Sequence, residues 1–137
     1  ILWLRGVLAV RGLPSLMLEF QMSEILRSLC HRWPNRKDEF RAFESVIGDL
    51  KSLRTAHMAQ QTWDELNHRY EQQLMQSPGD TLAGTPQLLI AAWADEMSGL
   101  KGAYSATETW FVEPSRFSQP WILGVNALST ELRGMAK

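Results

Sequence analysis

The stretch Lys37–Gln76, KDEFRAFESVIGDLKSLRTAHMAQQTWDELNHRYEQQLMQ, decides how this chain is read. It holds no proline and a single glycine, Gly48. Phe40, Phe43, Val46, Ile47, Leu50 and Leu53 recur at helical spacing and make one apolar stripe; Trp63, Leu66, Tyr70 and Leu74 make a second. The spacing predicts one helix over 37–76, roughly 60 Å long at about 1.5 Å rise per residue. Between the stripes lies a polar interval, Thr55–Gln61, with His57 at its centre. The alternation through Phe43, Val46, Leu50 and Leu53 carries His57 and Gln60 inward, and the stripe then resumes out of phase at Trp63. Such a seam reads as a change of partner, a bend or a buried polar layer.

The flanking segments are helical too. Gly12-Leu13-Pro14 separates a short apolar N-terminal piece from a helix over 14–32, whose buried face is expected to carry Leu18, Met22, Ile25, Leu29 and Trp33. Leu16, Phe20 and Leu26 widen that face. Ser77-Pro78-Gly79-Asp80 ends the long helix in a loop over 77–85. Thr85-Pro86 then starts a helix expected to reach Phe111, with threonine as its cap. The row Ser98, Gly102 and Ala106 points to close approach of a neighbour, and Gly99 and Gly102 to tight packing or a local bend. Trp110, Phe111, Phe117 and Trp121 should cluster at one end. A last helix from Gln119 places Trp121, Val125, Leu128, Leu132 and Met135 on one face.

The expected fold is therefore all-α: an antiparallel bundle of four main helices after a short N-terminal helical segment, built on the long helix at 37–76. The 137 residues suit a single domain with a real core. The chain opens on Ile1 rather than methionine, as a fragment or trimmed chain would. Its apolar start is interrupted by Arg5 and reads as the end of a core helix, not as a signal peptide. No apolar run approaches the roughly twenty residues that span a bilayer. One cysteine, Cys30, excludes an internal disulfide and fits a reducing cytoplasm.

A net charge of −1 gives no general pull toward nucleic acid or anionic membranes. Arg27, Arg32, Arg36, Lys37 and Arg41 gather near one turn, but Asp38, Glu39 and Glu44 are interleaved, so a solvated helix junction is the better reading than a phosphate site. The charge is uneven along the chain. Residues 1–63 carry nine basic and six acidic side chains, while residues 64–113 carry two and eight.

Three chemistries can be weighed against plainer readings. Glu65-x-x-His68 is the half-motif of di-iron bundles; Glu19, Glu24 and Glu96 are spare carboxylates, but nothing supplies a second histidine. His57, if inward, can ligate haem or border a pocket for an apolar small molecule, with Trp63 and Trp93 as its walls. A hydrogen-bonded histidine in a polar layer is the plainer account. Cys30 and His31 point about 100° apart on a helix, so they do not form a nucleophile–base pair. No catalytic residue and no metal ligand is assigned.

The leading functional expectation is a non-catalytic interaction or regulatory module. Neighbours shorter than the long helix leave part of its stripe for another protomer, so a homodimer or larger assembly is expected, its interface formed by Leu50, Leu53, Trp63, Leu66 and Tyr70. The alternatives are a ligand-sensing bundle around His57 and a metal-dependent bundle enzyme using Glu65 and His68.

Overall fold

The computed structural model describes residues 2–76 and 82–136, and these are all-helical, as the apolar spacing predicts. The elements are α1 (Leu2–Ala9), α2 (Ser15–Arg32), a 3-10 segment (Pro34–Phe40), α3 (Arg41–Thr55), α4 (Gln60–Met75), α5 (Thr85–Met97), α6 (Ala103–Phe111) and α7 (Gln119–Met135). Among the described residues no helix is long and apolar enough to cross a membrane. The expected helix stop at Ser77–Asp80 lies outside the described residues.

The single helix over 37–76 is corrected. Pro34–Phe40 is 3-10 with a kink at Arg36 (φ −112°, ψ 17°), and the chain breaks again between Thr55 and Gln60. Ala59 takes an extended conformation (ψ 143°), and its carbonyl accepts from Trp63 N at 3.0 Å to open α4. The physical reason is the phase slip between the two stripes. A straight rod cannot turn both toward one core, whereas two rods of 15 and 16 residues bury Leu50 on α3 together with Trp63, Leu66, Tyr70 and Leu74 on α4. At the break Met58 turns inward and His57 faces solvent. With the rod divided, its excess length no longer argues for a second protomer.

The four expected main helices become six, which with the short N-terminal helix α1 make seven among the described residues. The helix over 86–111 is split into α5 and α6, because Gly99 (φ +102°) and Gly102 (φ +86°) adopt the left-handed conformation that glycine tolerates best. Thr85 is not the cap of α5. Gly84 holds that position, and the Thr85 hydroxyl donates to the Leu82 carbonyl at 2.7 Å.

The centre of the fold is α5. From Leu89 to Asp95 every side chain is buried, and α2, α3, α4, α6 and α7 all pack against it. Its sequence is apolar nearly all round, the composition of an enclosed helix. The aromatic cluster forms as expected: Phe117 stacks on Trp121 at 5.0 Å, and the Trp121 indole N–H donates to the Phe111 carbonyl at 3.1 Å. On α7 the expected face is buried except for Met135, which is exposed.

Helix α2 departs furthest from expectation. Its buried residues are Ser15, Leu16, Glu19 and Met22, whereas Phe20, Ile25 and Trp33 face outward. Two buried ion pairs impose that rotation. The Asp95 carboxylate accepts from the Ser15 backbone N–H (2.8 Å), the Ser15 hydroxyl (2.5 Å) and the Arg5 guanidinium (3.1 Å). One turn along α2, Glu19 takes two bonds from Arg54 of α3, at 2.8 and 2.9 Å. Arg54 in turn lies 4.7 Å from the ring centroid of Trp63 on α4. Removing one member of a buried pair strands the other charge. Arg54→Ala should therefore lower stability by about 3–5 kcal/mol in urea denaturation, while the apolar double replacement Glu19→Leu/Arg54→Met should recover most of that loss.

Candidate functional site

Because Ser15 and Glu19 occupy the inner side of α2, its surplus apolar residues lie outside. Beside them the turn between α1 and α2 packs against α6. Gly12 (φ +86°) makes this possible, since a Cβ there would come within 3.0 Å of the Ala106 carbonyl oxygen. The turn, α2, Leu82, α5 and α6 enclose a cleft of about 520 Å³, walled by Leu13, Met17, Leu88, Trp110 and Phe111, with Arg11 the one charged lining residue among the described residues. That is a volume typical of small-ligand and anchor-residue pockets.

The cleft is the deep end of a longer trough. Met17 and Leu88 also line a shallower hollow with Phe20 and Gln21. Gln21 and Glu24 then line a third with Ile25, Leu29, Arg32 and Trp33. Together they follow α2, whose 18 residues run about 27 Å. The trough side chains Leu13, Met17, Phe20, Ile25, Trp33, Leu82 and Trp110 are 37–51 % exposed. At the deep end Trp110 is held edge-on by Phe111 (5.0 Å) and Phe117 (5.5 Å), with the Arg116 guanidinium 5.1 Å from its ring centroid.

Compared with protein-family models, with curated proteins and with solved structures, the chain finds no match in any of the three.

The residues expected to form sites from sequence are placed elsewhere. His57 is exposed at the α3–α4 break, while Trp63 and Trp93 belong to the core, so the three do not line a common pocket. The Trp93 indole nitrogen has no hydrogen-bond partner among the described residues. Glu65 and His68 are both exposed on α4, and Glu65 accepts from Gln61 at 3.1 Å. Of the spare carboxylates, Glu19 is engaged by Arg54, Glu24 by Arg27, and Glu96 by the Gly102 backbone N–H at 3.0 Å. Among the described residues no group of three or more His, Cys, Asp or Glu side chains is placed to hold a metal ion. In the basic cluster Arg27, Arg36 and Arg41 pair with Glu24, Glu39 and Asp38.

Of the expected interface set, Leu50, Trp63, Leu66 and Tyr70 are buried under the chain's own helices, and Leu53 is half-buried. The deep cleft was missed because its far wall comes from Leu88 on α5 and Trp110 on α6, about seventy and ninety residues away along the chain. One signal was available. Leu16, Met17, Leu18, Phe20, Met22, Ile25, Leu26 and Leu29 cover more of the α2 circumference than one buried face needs.

Tyr70 joins α4 to α7: its hydroxyl donates to Glu131 at 2.5 Å, and Arg69 donates to the same carboxylate at 2.7 Å. The Tyr70 bond, aided by Arg69, holds the Glu131 carboxyl below its ordinary value. Burial, with the Glu131 bond second, pushes the Tyr70 phenol from 10.0 up to about 12. A phenol raised on folding contributes stability that is fully present below the unfolded value and disappears as pH rises through the folded one. Stability should thus fall between pH 10 and pH 12. Burial also raises Tyr104, which adds to the slope. Urea midpoints measured across this range should decline less steeply for Tyr70→Phe than for the wild type.

Proposed function

We propose that this protein is a non-catalytic binding module whose recognition surface is the trough along α2. The observation that carries the reading is the clustering of exposed apolar side chains. Among the described residues twelve large hydrophobic side chains are exposed, and seven of them line or wall this one trough. Single exposed apolar residues are ordinary, whereas a contiguous patch bordered by polar groups marks an interaction surface. The shape also supports a segment rather than a flat face. A run of hollows along α2, itself about 27 Å long, with a deep cleft at one end fits an extended apolar ridge bearing one large anchor residue.

Helices of the chain's own fold already cover four of the five interface candidates on α3 and α4, and half cover Leu53. The reading therefore keeps the interaction role and moves its surface from α3 and α4 to α2.

The test is a selection of displayed helical peptides on the intact protein. The enriched peptides should lose at least about tenfold in affinity on Phe20→Glu/Ile25→Glu and keep it on Gln72→Glu, an exposed position on α4. Circular dichroism should show both variants folded, since all three positions are exposed. A selection that yields no binders, or binders indifferent to the α2 substitutions, overturns the proposal.

A further inference from the structure

We infer that the segment seated in this trough is an acidic amphipathic helix, with apolar side chains entering the clefts and Asp or Glu along its flanks. This rests on the binding reading above and adds the partner's chemistry. It follows from how the arginines are used. The chain has ten. Seven are ion-paired with the chain's own carboxylates: Arg5, Arg27, Arg36, Arg41, Arg54, Arg69 and Arg133. Among the described residues the other three, Arg11, Arg32 and Arg116, have no carboxylate partner; Arg11 and Arg32 line the trough, and Arg116 lies over the Trp110 ring at its deep end.

Arg11 lines the deep cleft and Arg32 the far hollow. Arg116 lies over Trp110, the aromatic wall of the deep cleft. Among the described residues the single acidic side chain lining the three hollows, Glu24, is taken up by Arg27. Among the described residues the trough is therefore apolar along its floor and cationic at both ends, with no unpaired carboxylate between. Arginine presents a planar fork of donors suited to carboxylates, so Asp and Glu are the matching groups.

The positive ends stand about one α2 length apart, roughly five helical turns. A partner helix of about eighteen residues would span them. The concave deep cleft, which can take one anchor side chain, favours a helix over a bilayer surface, and the net charge of −1 adds no general attraction to anionic lipid.

The experiment extends the helical-peptide selection to Arg11→Glu/Arg32→Glu/Arg116→Glu, three exposed positions whose replacement should leave the circular dichroism spectrum unchanged. Peptides enriched on the wild type should be acidic on their flanks and bind the triple variant about tenfold more weakly, and that gap should shrink in high salt. The triple variant should instead enrich basic peptides. If the wild type enriches neutral or basic peptides that still depend on Phe20 and Ile25, the acidic partner is wrong and the binding trough stands. If the enriched peptides ignore Phe20 and Ile25, both fail. Co-sedimentation with phosphatidylserine vesicles that exceeds binding of every enriched peptide overturns the inference in favour of a lipid surface.

Discussion

The carboxylate of Asp95 is fully enclosed in the centre of the protein, and much of the fold's arrangement follows from satisfying it. A buried charge without partners costs several kcal/mol even after relaxation. Here Arg5 of α1 supplies the countercharge, and the first residue of α2 supplies two donors, its backbone N–H and its hydroxyl. The start of α2 is where a helix has unsatisfied N–H groups and a partial positive charge, so Asp95 serves as its cap from another helix. One side chain thereby locks α1, α2 and α5 together. It also sets the α1–α2 turn against α6, where Gly12 meets the Ala106 carbonyl.

Glu19 repeats the device one turn further on. Ser15 and Glu19 lie on the same side of α2, and both reach inward for polar partners, so the rotation of α2 is decided by charge rather than by apolar pattern. The alternative can be weighed. Turning α2 to bury Met17 and Phe20 would gain about 1.5–3 kcal/mol for each side chain. The same turn would withdraw Glu19 from Arg54 and Ser15 from Asp95, stranding charges in the core at several kcal/mol per ion. The penalties match or exceed the gains, and buried pairs penalise the wrong rotation more sharply than apolar contacts do. The apolar trough is the consequence of that choice.

This explains which parts were legible in the sequence. The all-helical class, the location of a helix start at Thr85-Pro86 (though not its cap), the aromatic cluster and most of the α7 face follow from local spacing and turn chemistry, and the structure bears them out. The phase slip before Trp63 was visible, but a bend, a change of partner and a polar layer produce the same pattern. Only packing chose the bend. At 98–102 the glycines announced a break or close packing; the structure has the break there, with Ala106 making a close approach to Gly12. The α2 face was misread because Glu19 looked like a solvent residue. Its partner Arg54 is 35 positions away, and no local pattern reports such a pairing. The trough was hidden for the same reason, since neither wall contains enough of it to be recognised alone.

An exposed apolar groove gains energy from being covered, but area alone does not choose what covers it. Three of the seven trough side chains are aromatic, each holding about 150–250 Å² of surface, and with the four smaller aliphatic ones, all near half exposure, the set offers on the order of 500 Å². At about 25 cal/mol per Å² that is roughly 12 kcal/mol, against an association cost of about 4–15 kcal/mol. The apolar term by itself thus supports weak binding of almost any oily ridge. Discrimination has to come from groups that reject wrong partners. Arg11, Arg32 and Arg116 are placed to do so at the two ends of the groove: a lysine on a docking helix meets an uncompensated like charge, and an acidic residue meets a ready donor fork. The inward pairing that keeps Asp95 and Glu19 satisfied and the cations left over outside are thus two sides of one charge arrangement. The first positions the groove, and on the binding role proposed for it the second would select what enters it.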